Sequence, residues 1–219
     1  MATARKWSNV AVAMQSALGA NKTITAIAVG ATATVTATHD FSAGDYVVFN
    51  VLGMHQINGE VYRVLSVSTT VSFVIEGTGG ASLDTTGFDA FTSGTCNKIT
   101  FGTSITTATS MSASGGDFDF IDTTTIHANV KSEIPGVANP LKYSFDNLWD
   151  PSDAGQIAMK AASDAQATRA FKITFGTGGP IMVCNGYVGF AGAPTGSGQD
   201  KVVSPAVITA FGSPTYYAS

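Results

Sequence analysis

Side chains able to do covalent or metal chemistry are few and scattered. Two cysteines, Cys96 and Cys184, and three histidines, His39, His55 and His127, are spread along 219 residues. No CxxC pair, HExxH or mixed His and Cys spacing occurs, so no zinc site is expected. The two thiols read as free and buried, as in a reducing cytosol. Asp117, Asp119 and Asp122 in "GGDFDFID" could offer oxygen ligands to calcium. However, no glutamate closes a twelve-residue loop, and aspartate alternating with phenylalanine is the pattern of a strand with one wet face. "TFGTGGP" suggests a phosphate-cradling glycine loop, but no Gly-Lys-Ser/Thr and no helix start follow it, so it reads as a turn. No local Ser/His/Asp or Cys/His set and no paired carboxylates in a catalytic context are present. Neither catalytic residue, metal nor cofactor is expected.

Composition points the same way. Charged residues are 12% of the chain, against a usual share of about 25%. Hydrophobic residues are an ordinary 44%, so Gly, Ala, Ser and Thr stand where charge is missing. A monomer free in solution carries more charge than this, and much of the surface is therefore expected to be covered by neighbours. The net charge of −4 argues against a tight sequence-reading nucleic-acid binder, which needs clustered Lys and Arg. It leaves room for a surface that DNA passes without sticking.

The elements that would position any site are mainly β. "KITFGT" occurs at Lys98–Thr103 and again at Lys172–Thr177 in unrelated flanks. The copies therefore read as two strands of an all-β protein rather than a repeat. Residues 1–21 form an arm, either a short helix or an added strand. The apolar core of that arm is too short for a secretory signal, and no stretch is long enough to cross a membrane. Residues 22–95 read as a small β module with turns at Gly30, Asp40–Gly44 and Asn58-Gly59. A Gly, Thr and Ser-rich surface loop leads out of it. Residues 96–219 read as a β-sandwich or barrel flanked by one helix near 151–166. Asp150 suits the N-cap and Pro151 the first helical position, with Ala154, Ile157, Ala158, Ala161 and Ala165 as the apolar stripe.

"GGDFDFIDTTTIHANVKSEIPGVANP", the capped helix, "AFKITFGTGGPIMVCNGYVGF" and "SPAVITAFGSPTYY" follow one another in this chain. In that order they resemble the major tail tube proteins of long, non-contractile-tailed bacteriophages. Residues 22–95 resemble the small β module named after the catalytic-cysteine half-domain of ubiquitin-activating enzyme, with no ubiquitin chemistry implied. The resemblance implies a structural virion protein made in the host bacterial cytoplasm and placed in the tail. Six copies would close into a ring through shared sheet, and rings would stack into a tube that conducts double-stranded DNA. A tape-measure protein, a tail terminator and distal tail proteins would be its partners. Asp117, Asp119 and Glu133 are the lumen-facing candidates. Arg5, Trp7, Thr106, Tyr216 and Tyr217 are the candidates for contacts between rings, with the polar Thr103–Gly116 segment. Truncating residues 1–9 or 213–219 should then weaken tube formation more than subunit folding. The rival reading is a two-module β-sandwich binding protein, of adhesin or carbohydrate-binding type, which exposed aromatic platforms would favour. An inner tube of a contractile system shares the architecture and differs in its partners.

Overall fold

The computed structural model describes residues 9–68 and 70–218. In chain order, β1 (Val10–Met14) and β2 (Ala17–Leu18) lead into β3 (Lys22–Ile27), β4 (Thr34–Ala37), β5 (Tyr46–Leu52), β6 (Val61–Ser68), β7 (Ser72–Glu76) and β8 (Ser93–Thr100). β9 (Thr103–Ile105), β10 (Ala108–Ser114), β11 (Phe118–Asp122), β12 (Glu133–Ala138) and β13 (Lys142–Leu148) follow. The helix α1 (Ala154–Asp164) precedes β14 (Thr168–Phe175), β15 (Ile181–Phe190), β16 (Val203–Ala210) and β17 (Thr215–Tyr217). Strands make up 50% of the molecule and helix 7%, so the chain is mainly β with one α-helix.

β3 to β8 close on themselves. Their order is β8-β3-β4-β7-β6-β5, and β5 pairs back onto β8 from Tyr46↔Ile99 to Leu52↔Ser93, completing a six-stranded barrel. The period-two pattern sends Val47, Phe49 and Val51 of β5 inward, where they meet Val35, Phe73, Ile75 and Cys96. Closure leaves this unit without a free sheet edge. The segment after β7 does more than leave the barrel. It folds back as a lid, with the buried Thr85 hydroxyl bonded to the carbonyls of Ala28 and Gly30.

The chain leaves the barrel after Thr100 and builds a second sheet in the order β10-β13-β16-β15-β14-β1-β9, with β17 paired to β15. Of the two forms open to the N-terminal arm, Val10–Met14 takes that of a strand, held between β14 and β9. Thr103–Gly116 likewise contributes β9 and β10 to the sheet rather than a reaching loop. The two KITFGT copies serve different cores: Ile99 and Phe101 pack between the units, while Ile173 and Phe175 belong to the main core.

The helix begins later than its first proline suggests. Asp153 is the N-cap, its carboxylate accepting from the Gln156 N–H at 2.9 Å. Asp150 instead holds the preceding turn by accepting from the Ser152 N–H and hydroxyl. The buried stripe is Gly155, Gln156, Met159 and Ala162, one position away from the alanine stripe read from the sequence. Ile157 is left exposed on the outer face. Glycine at 155 lets the first turn approach the Ser104 carbonyl closely.

Candidate assembly surfaces

The two units are joined by a third, smaller core. Tyr46, Val61 and Ile99 of the barrel meet Ala170, Val183 and Tyr217 of the main sheet. The C-terminal strand is the clasp. The Tyr217 hydroxyl accepts the Arg63 N–H at 2.8 Å, and the Arg63 guanidinium lies 4.6 Å from the centre of its ring. That guanidinium also forms a two-pronged bridge to the buried Glu76 carboxylate, at 2.5 and 2.7 Å. Tyr217 is 1% exposed. Its side chain is spent on this chain's own interior, which takes it out of the outward-facing set, while Tyr216 beside it stays 46% exposed.

The opposite holds for residues 117–139. β11 and β12 form a two-stranded hairpin that pairs with no other strand among the described residues. It continues the β10–β13 pair beyond Gly115 and Gly116, at φ of +85° and +84°, opposite Asn139-Pro140. Positive φ at two successive glycines marks where the backbone leaves the main sheet for the separate hairpin. The hairpin, here called the arm, exposes large apolar side chains on both faces. Phe118 and Phe120 lie on one face, Ile121 opposite Ile134 on the other, and Ile126, Val130 and Val137 stand out along the β11–β12 connection and β12. Phe120 is 64% and Val137 83% exposed. A lone hairpin is at best marginally stable in water, and exposed apolar surface on this scale marks a place where another surface sits.

The three lumen candidates, Asp117, Asp119 and Glu133, are all brought onto this arm and are all exposed. Asp119 accepts from the Asn139 side-chain amide at 3.1 Å. With Asp122 they make four carboxylates against one lysine, Lys131, which lies 3.7 Å from Glu133 and 3.9 Å from Asp122. Hydrogen bonds from Thr124 hold the Asp122 carboxyl below its ordinary pKa. Thr106 is elsewhere, exposed in the turn between β9 and β10, where its hydroxyl lies 3.4 Å from Asp153. Arg5 and Trp7 lie outside the described residues. The signal in the sequence for the hairpin is the pair Gly115-Gly116 followed by large apolar residues at alternating and scattered positions up to Pro140.

Two further surfaces are open. β10 forms the end of the main sheet, and β9 covers only Val12–Met14 of β1. Between β10 and the uncovered start of β1 runs a cavity of about 290 Å³, lined by Val10, Val12, Met111 and Phe145. The outward face of β10, β13, β16 and β15 carries many hydroxyls, with Tyr187, Leu148 and Pro205 standing out on it. It presents Ser110, Ser112, Ser114, Ser144, Val207, Thr209 and Gly189, with Lys142 and Asp146 as its charges.

The two cysteines sit in different cores, and burial pushes each thiol up to about 12. His39 is buried against Phe41 and Phe73, with its Nδ1 accepting the Phe41 N–H. Among the described residues no cluster of His, Cys, Asp or Glu could hold a metal, and no helix is long and apolar enough to cross a membrane.

A mostly β subunit with an unpaired strand edge and a projecting apolar arm belongs to the class of structural proteins that assemble with copies of themselves. The family model for phage tail tube proteins matches residues 52–219, and the chain belongs to that family. It is a structural subunit of the tail tube and a component of the virion tail. Among solved structures it is similar to a chain described as the tail of an empty GTA particle, computed with helical refinement and C6 symmetry. That similarity has 12% identity and a TM-score of 0.39 over 55% of this chain and 87% of the other. No curated protein matches.

Proposed function

We propose that six copies of this chain close into a ring through their sheet edges, and that rings stack into a hollow tube conducting double-stranded DNA. The arm is the joint between copies, and its exposure of large apolar side chains on both faces is the observation that carries the reading. Ring closure in the same direction at each contact removes the open edge of β10, which supports sheet pairing between neighbours. Six is the number the tail-tube resemblance implies. The subunit has no catalytic role, and buried cysteines with raised thiol pKa support that.

Asp117, Asp119 and Glu133 are offered as lumen carboxylates because they are exposed on an acidic arm. The hydroxyl-rich face of β10, β13, β16 and β15, with one lysine and one aspartate, is offered as the near-neutral part of the wall. The barrel is offered as a decorating module. No ubiquitin chemistry is assigned to it, and the buried Cys96 supports that. A tape-measure protein, a terminator and distal tail proteins complete the proposed assembly.

Negative-stain imaging with light scattering on purified protein over a concentration series tests this reading. Rings or tubes from the full chain, and monomers from a variant with 117–139 replaced by a short glycine turn, are expected. Tubes of normal dimensions from the armless variant would overturn it.

A further inference from the structure

Glu60 ends the turn between β5 and β6 and points at the C-terminal side of the subunit. Its Oε1 lies so close to Gly212 that a Cβ there would collide with it. Glu60 lines a cavity of about 530 Å³ with His55, Tyr62 and the Phe211–Ser213 link between β16 and β17. Cys184 of β15 feels its charge from the main sheet, and no lysine or arginine lines the cavity. The Phe211–Ser213 link also walls a second cavity, of about 350 Å³, whose other side is the arm root at Gly116, Phe118, Asn139 and Pro140. One short loop therefore touches a carboxyl group on one side and the arm's hinge on the other.

We propose that Glu60 is a proton-operated stop beneath the arm: neutral, it lets the 211–213 loop seat against barrel and arm root together, and ionised, it loosens that loop and weakens association of copies. The proposal rests on the reading of the arm as the joint between subunits. Burial pushes the Glu60 carboxyl up from 4.5 to about 7. A carboxylate confined there without a cation draws in water or pushes its neighbour away. Tyr62 and Cys184 are both shifted upward by burial and stay neutral in this range, and His55 stands exposed at the rim of the cavity.

The test follows light scattering and negative-stain imaging of the full chain from about pH 6 to about pH 9 at fixed ionic strength, with amide-exchange protection of residues 211–217 measured on the same samples. For the unmodified chain, the assembled fraction should fall several-fold across neutrality while protection of 211–217 falls in step. Glu60→Gln should stay assembled and protected throughout. Gly212→Ala, which forces the loop off the carboxyl group, should reproduce the alkaline behaviour in acid. An unchanged pH profile in Glu60→Gln, or flat protection of 211–217 in the unmodified chain, would overturn the proposal. Should the chain fail to assemble at any pH, the arm reading fails and loop protection still decides the role of Glu60. A fall near neutrality that Glu60→Gln abolishes upholds the stop, and a flat profile removes it.

Discussion

The arm and the C-terminal strand make an instructive pair. Both are aromatic segments with one or two strands; from sequence the C-terminal segment reads as a piece that reaches outward and 117–122 as a strand with one wet face. β17 places Tyr217 in a core built by two units of its own chain, whereas the arm leaves Phe118, Phe120 and Val137 more than half exposed. Aromatic content alone does not separate a clasp from an arm. The separation comes from whether the rest of the subunit supplies a third strand or a covering face.

Replacing 117–139 by a glycine turn should break the comparison most sharply. Assembly is expected to be lost, while the denaturant midpoint of the isolated subunit hardly moves. Tyr217→Ala should do the reverse. Losing a fully buried aromatic together with its bond to Arg63 is expected to cost the subunit about 3–5 kcal/mol in chemical unfolding. A drop in tube yield at unchanged subunit stability would instead return Tyr217 to the surface set. The loss of subunit stability, if found, also decides against the expectation that trimming 213–219 spares folding.

A smaller effect concerns pH. The Glu60 carboxyl ionises near 4.5 when the chain is unfolded and near 7 when it is folded. Between those values the folded state holds the extra proton, so subunit stability should fall as pH rises from about 4.5 to about 7 and level off above. Thermal unfolding of Glu60→Gln should lack that decline. Smallest is Asp153→Ala, which removes the helix cap and should cost about 1 kcal/mol without altering assembly. A larger loss of tubes in that variant would place the helix face carrying Ile157 at a contact.

The sequence by itself determined the mainly β character, the presence and place of one helix, and the burial of both cysteines. These follow from local period, turn residues and composition, which act over a few neighbouring residues. Tertiary structure decided which strands close into a barrel, which face of α1 is buried, and that Tyr217 turns inward while Phe120 stays outside. Alanines at 154, 158, 161 and 165 suit either side of a helix, and only contact with β9 and β15 selected the stripe of Gly155, Met159 and Ala162. Long-range pairing sets such choices: a strand's partner lies tens of residues away, and the register of that pairing fixes which side chains meet a core and which are left for another subunit.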